Sequence, residues 1–192
     1  MSDQKRTRDS DRDCLEVTLE FGHTSTLRDA LEPVPGTATH DWEVWVKSPS
    51  DDRIESFLEK VVFTLSDTFK DPRRTVVSPP YKIQEIQEEG YGSFKLLIDL
   101  FFRAPKGERA LVKASVDYDL ALQPFKRAGE EDFQKTISIR RTETMQFATR
   151  DEEFRHRLLK GGALLSLEHI QAWLHSDSSS SEEEEEEEPR ES

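Results

Sequence analysis

The 192-residue chain carries 40 acidic and 27 basic side chains, a net charge of −13, with 34% hydrophobic and 35% charged residues, a length that accommodates one domain with polar tails. So acidic a chain repels phosphate backbones and favours basic partners, which argues against direct nucleic-acid binding. The single cysteine, Cys14, allows no intrachain disulfide and suits a reducing compartment, and no apolar run reaches the ~18–20 residues of a membrane span or forms a signal-peptide core.

Residues 1–13 mix four basic and four acidic side chains without periodicity and are expected to be disordered. From Cys14 the pattern alternates through Leu15, Val17, Leu19 and Phe21, a half-buried strand with Cys14 as a buried bystander. Residues 22–39 hold Pro33, Pro35 and Gly36 and read as a loop or irregular edge. Asp41 to Lys47 alternates again, with Trp42, Val44 and Val46 inward and Glu43, Trp45 and Lys47 outward; Ser48 to Asp52 is a turn. Ile54, Phe57 and Leu58 stand at helical spacing, one turn ahead of a strand from Val61 through Phe63 and Leu65. Residues 71–80 read as a loop, stiffened at Pro79-Pro80, with Tyr81 packing at the start of a short strand to Gln87.

A long strand follows from Phe94 to Arg103, with Phe94, Leu96, Ile98, Leu100 and Phe102 on one face. Further alternations run from Ala110 to Leu122 and from Thr136 to Phe147. Seven or eight short strands with few helices predict an antiparallel β-sandwich over residues 14–147. Residues 148–175 should add C-terminal helices: Thr149-Arg150-Asp151-Glu152 has the form of a capping box and Gly161-Gly162 a helix end. Ser166 could cap a second helix, with Leu167, Ile170, Trp173 and Leu174 along one side.

Residues 176–192 hold four consecutive serines and seven consecutive glutamates, net −8, leaving −5 for residues 14–175. That tail lacks the apolar surface to fold. Ser179, Ser180 and Ser181 each precede an acid by three positions, so phosphorylation by an acid-directed kinase is expected. Mass spectrometry of the protein from its native cell checks this; an unmodified tail contradicts it.

The stretch that points to a function runs from Val61 to Phe94. Its strand ends in a polar tip, Ser66-Asp67-Thr68, followed by Phe69, and Gly90-Tyr91-Gly92 then sets a second aromatic between glycines that permit close backbone approach. Together with His40-Asp41-Trp42, Val61-Val62-Phe63, Pro79-Pro80-Tyr81, Asp117-Tyr118-Asp119-Leu120 and Arg157-Leu158-Leu159-Lys160-Gly161-Gly162, this order and spacing resembles the YEATS domain, a reader of acylated lysine on histone tails. The resemblance covers about Leu15 to Gly162. It is nearest the leukaemia-fusion subfamily.

It implies an immunoglobulin-like sandwich in which Phe69 and Tyr91 lie parallel and grip the planar amide of an acetyl- or crotonyl-lysine. The Thr68 hydroxyl and the Tyr91 N–H would bond its carbonyl, beside Ser66, Gly90 and Gly92, while Asp119 pairs a neighbouring arginine and Ala38 and Asp67 meet the peptide flank. The chemistry is selective because a dry slot penalises the hydrated ammonium of unmodified lysine, whereas acylation removes its charge. Three positions depart from the subfamily: Ser66 stands where close relatives carry histidine, Ala38 where they carry an aromatic, and Thr68 where serine is usual. A rim so stripped implies weaker or broader acyl selectivity.

A methyl-lysine cage wants three or more rings around a cation, and only two aromatics converge in the sequence. The five histidines show no metal spacing, and no phosphate loop, dinucleotide fingerprint or nucleophile elbow occurs; neither cofactor nor catalysis is expected. The partners implied are acylated histone tails and a larger transcription or chromatin-modifying complex, in the nucleus. The alternative is an acylation-independent histone chaperone, or an interaction scaffold, that uses the sandwich and the acidic tail.

Overall fold

A computed structural model describes residues 14–28, 38–87, 93–104, 113–127 and 129–166. The strands are β1 (Cys14–Leu27), β2 (His40–Lys47), β3 (Leu58–Thr64), β4 (Arg73–Val76), β5 (Tyr81–Gln87), β6 (Phe94–Phe102), β7 (Lys113–Leu120), β8 (Thr136–Ala148) and β9 (Leu164–Leu165), with one helix, α1 (Glu152–Lys160), between β8 and β9. They form two antiparallel sheets, one ordered β5-β2-β1-β8 with β9 also on β1, the other β4-β3-β6-β7. The inward-facing alternation foreseen for each long strand meets between them. Leu15, Val17, Leu19 and Phe21 from β1 face Val61 and Phe63 from β3 and Ile98 and Leu100 from β6 across one apolar core. Each such side chain contributes ~1.5–3 kcal/mol on burial.

Several boundaries differ from the sequence reading. β1 runs on through residues 22–27, where a loop was expected. Its inner face is continued by His23 and Ser25, both fully buried, and polar residues there hid the alternation. β4 lies inside the expected loop of residues 71–80; its pattern of exposed and half-buried side chains carries no apolar stripe, and its register comes from pairing with Val61–Thr64. The helical spacing at Ile54, Phe57 and Leu58 yields only a 3-10 turn over Ile54–Ser56. β3 begins at Leu58, three residues earlier than expected, with a register shift between Leu58 and Lys60.

The cap of α1 is Asp151, not Thr149: the Asp151 carboxylate accepts from the Phe154 amide at 2.7 Å, and the Thr149 hydroxyl accepts from the Asp151 amide at 3.1 Å. A carboxylate one residue from the helix start serves the exposed N–H groups better than a hydroxyl one turn away. Cys14 is half-buried rather than buried. Beyond Ser166, whose amide donates to the Cys14 carbonyl at 2.9 Å, the expected second helix lies outside the described residues, as do residues 1–13 and the acidic tail.

One arginine spans each open flank of the sandwich. Arg74 on β4 reaches the Glu85 carboxylate on β5 and donates to the Gln84 carbonyl at 3.4 Å. On the other side Arg141 on β8 donates to the Asp117 carbonyl of β7 at 2.6 Å and lies 5.3 Å from the Tyr118 ring centre.

Candidate functional site

Strand directions place the ends of β1, β3, β5 and β7 and the starts of β2, β4, β6 and β8 at one end of the sandwich. Of the expected site residues, Ala38, Ser66, Asp67, Thr68, Phe69 and Asp119 are described, and they lie at this end. β3 leaves the core at Leu65, whose amide donates to the Pro72 carbonyl at 2.7 Å and closes the intervening loop. Inside it Ser66 to Phe69 form a turn, the Phe69 amide donating to the Ser66 carbonyl at 3.0 Å. The Ser66 hydroxyl accepts from both the Thr68 hydroxyl, at 3.2 Å, and the Thr68 amide, at 3.4 Å. Ser66, Asp67 and Thr68 are exposed and Phe69 is half-buried.

Phe69 belongs to a three-ring cluster that sequence reasoning did not assemble. Its ring meets Trp42 edge-on at 6.0 Å and 88°, and tilts over Phe94 at 5.3 Å and 48°; Phe94 in turn meets Trp42 at 5.5 Å. Trp42 is 2% exposed beneath two half-buried rings, and its indole N–H has no hydrogen-bond partner among the described residues. Phe94 was read as one more core position on a long strand. The available signal was its place as the first residue of that strand, at a loop end. Gly90, Tyr91 and Gly92 lie outside the described residues, between β5 and β6.

Asp119 is exposed on the outer face of the second sheet, 3.8 Å from Lys95 on the neighbouring strand. Contacts between such exposed groups contribute ~0–1 kcal/mol, so the carboxylate is available for exchange. Ala38 is half-buried just before β2. Two buried histidines, also missed as site elements, tie the chain after β7 to the first sheet. His40 Nε2 donates to the Gln123 carbonyl at 2.8 Å, with Thr39 bonding its Nδ1 at 2.9 Å. His23 Nδ1 bonds the Tyr118 hydroxyl at 2.7 Å, and its Nε2 stands 3.0 Å from the Ala121 carbonyl and 3.2 Å from the Ala121 amide, donor and acceptor roles depending on the ring's tautomer. These bonds fix the end of β7, and with it Asp119.

Burial holds the His23 imidazole below its ordinary value of 6.5, partly offset by the Ala121 carbonyl, and pushes the Tyr118 phenol up to about 12. Because the unfolded chain takes up the proton more readily than the folded one, the contribution of His23 is complete above about pH 6.5 and declines as pH falls below it. The midpoint of urea unfolding is therefore expected to be lower at pH 5.5 than at pH 7.5. The difference should shrink in His23→Gln; an unchanged pH dependence in that variant contradicts the assignment.

The described residues include no group of His, Cys, Asp or Glu placed to hold a metal ion and no helix long and apolar enough to cross a membrane.

Comparison with known proteins matches this arrangement. Residues 37–124 fit the YEATS family. The chain is 36% identical to human protein AF-9 over 148 residues, which take in 77% of this chain and 23% of AF-9. It is 33% identical to the AF-9 homolog of Saccharomyces cerevisiae over 107 residues, 55% of this chain and 45% of that one. It thus spans about a quarter of the length of AF-9 and under half of the yeast relative. Two solved structures of the Yaf9 YEATS domain, both 26% identical, superpose on it. The one bound to acetylated histone H3 has a TM-score of 0.60 and covers 76% of this chain and 94% of that one; the one recognising a succinylated histone H3 peptide has a TM-score of 0.59, with 77% and 95% covered. The chain is a β-sandwich protein of the YEATS family, similar to the AF-9 type.

Proposed function

We propose that this protein reads acylated lysine on histone tails, acetyl and crotonyl among the acyl groups, and acts in the nucleus within a transcription or chromatin-modifying complex. The observation that carries the reading is the half-buried Phe69 ring, propped on Trp42 and Phe94 beside a turn that presents the Thr68 hydroxyl, in a chain whose structural neighbours hold acetylated and succinylated histone H3. Phe69 supplies one wall for the planar amide and Tyr91 the other. Thr68, relayed onto Ser66 in the free protein, turns its proton to the acyl carbonyl, which the Tyr91 N–H also meets, with Gly90 and Gly92 keeping that backbone accessible. Asp119 takes an arginine beside the acyl-lysine, and Ala38 and Asp67 border the flank.

Two ring contacts at ~0.5–1.5 kcal/mol and two hydrogen bonds at ~1 kcal/mol give a few kcal/mol. With a charge-assisted bond at Asp119 of ~1.5–3 kcal/mol, the total corresponds to affinities of tens to hundreds of micromolar, on the order of −5 to −7 kcal/mol. Calorimetry with histone H3 peptides that are unmodified, acetylated or crotonylated at one lysine tests this, with Tyr91→Ala as control. Binding that requires the acyl group and disappears in Tyr91→Ala is expected, with crotonyl at least equal to acetyl. Equal binding of unmodified peptide, lost on truncation after His175 but not in Tyr91→Ala, would show a chaperone instead.

A further inference from the structure

We propose that the outer face of β2 and β5 is a second contact for the same basic tail: an acidic trough that takes its extended arginine- and lysine-bearing flank. The proposal rests on the acyl-lysine reading above and adds a path for the rest of the ligand. Two depressions, of about 500 and 530 Å³, adjoin on this face and share Glu43. The one nearer the aromatic cluster is floored by Thr24 and Thr26 and edged by Asp41 and Glu85. The farther one has an apolar floor of Trp45, Ile54, Pro79 and Pro80 beneath Asp51, Asp52 and Glu55.

Continuity with the cluster selects the occupant. Asp41 and Glu43 flank Trp42 in sequence, and alternation along β2 sends their carboxylates outward while the indole supports Phe69 on the inner side. From Asp41 to Lys47 is six strand steps, on the order of 20 Å, which an extended peptide of about six residues spans.

Charge points the same way. Six carboxylates line the two depressions; Arg28, Arg53, Arg74 and Lys82 pair with Asp41, Glu55, Glu85 and Glu43, and Lys47 is 3.4 Å from Glu20, outside the trough, which leaves Asp51 and Asp52 as the carboxylates without an ion pair among the described residues. The Arg28–Asp41 pair is exposed and the Lys82–Glu43 pair partly so, so an arriving guanidinium replaces either cation at modest cost.

Trp45 supplies the stacking surface. One face of its indole lies on Gly22, where an added Cβ would stand 2.4 Å from Cζ2, and its N–H donates to Glu20 at 3.2 Å. The ring is thereby seated against Gly22 and half-exposed at the depression it lines, an arrangement that accepts an arginine side chain by cation–π contact.

The test uses the full chain and three histone H3 peptides in fluorescence titrations at low salt: a short one of about five residues centred on an acetyl-lysine, a long one with about ten further residues carrying at least two basic side chains, and the long one unmodified. Wild type is compared with Glu43→Gln/Asp51→Asn and, separately, Phe69→Ala. The long acetylated peptide is expected to bind about tenfold tighter than the short one, and most of that gain should vanish in Glu43→Gln/Asp51→Asn and at high salt, with the short peptide changing less than twofold. Unmodified long peptide bound weakly, through Glu43 and Asp51 but not Phe69, supports the trough even if acetylation proves irrelevant, in which case the acyl-lysine reading alone falls. Equal affinity of long and short peptides, or a long peptide indifferent to the double substitution, overturns the trough whatever happens at Phe69.

Discussion

Phe69→Ala is expected to weaken binding of an acetylated or crotonylated histone peptide by roughly 30-fold, about 2 kcal/mol, carrying affinities of tens to hundreds of micromolar into the millimolar range. The loss combines the ring's stacking contact, ~0.5–1.5 kcal/mol, with the area it shields from water at ~25 cal/mol per Å². Fold damage should be modest: Phe69 is half-buried, and the rings it leaves behind, Trp42 and Phe94, still meet each other at 5.5 Å. Circular dichroism should show native β content while titration shows binding lost. A folded variant that retains affinity within threefold would remove Phe69 from the site, and Lys70→Ala, exposed in the same loop, serves as a control for general disturbance of the loop.

The largest effect on stability is expected at Gly161→Ala. Gly161 closes α1 with ordinary backbone angles (φ −91°), so the difficulty is space alone. An added Cβ would stand 2.4 Å from two carbons of the Phe57 ring and 2.8 Å from the Ser56 hydroxyl. Phe57 is fully buried and rests against Phe102, and Ser56 donates to the Arg157 carbonyl at 2.7 Å, so neither neighbour retreats freely. Overpacking of this kind costs ~1–3 kcal/mol, which for a domain of this size lowers Tm by about 3–10 °C. Calorimetry checks it; a Tm within 1 °C of wild type would mean the helix end shifts without penalty. The far end of the sandwich, where α1 packs, is remote from Phe69, so acyl-peptide affinity below the transition should persist.

Long apolar alternations were legible because burial on one side of a strand imposes a period of two: β2, β5 and β6 emerged within a residue of their observed limits. Failures fell where something other than burial sets conformation. β4 is held by its ladder with β3, and the end of β1 by hydrogen bonds between His23 and Ser25 and the segment after β7; neither signal exists in a local window. The polar turn and Phe69 were readable as a loop tip carrying an aromatic. What supports Phe69 was not, because Trp42 and Phe94 come from strands 27 and 25 residues away in sequence and meet only once the sheets are stacked. Trp45 was assigned outward and does face outward, but its seat on Gly22 depends on the neighbouring strand.

The guanidinium groups of Arg74 and Arg141 bear on how this molecule avoids its own kind. A sandwich left unclosed offers backbone donors and acceptors along its rims, which invite another chain to extend the sheet and seed fibrils. Each charged plug occupies part of such a rim and places a desolvation penalty in front of any newcomer. A neighbouring copy approaching either rim therefore meets a charged side chain before the backbone groups behind it, which disfavours extension of the sheet there.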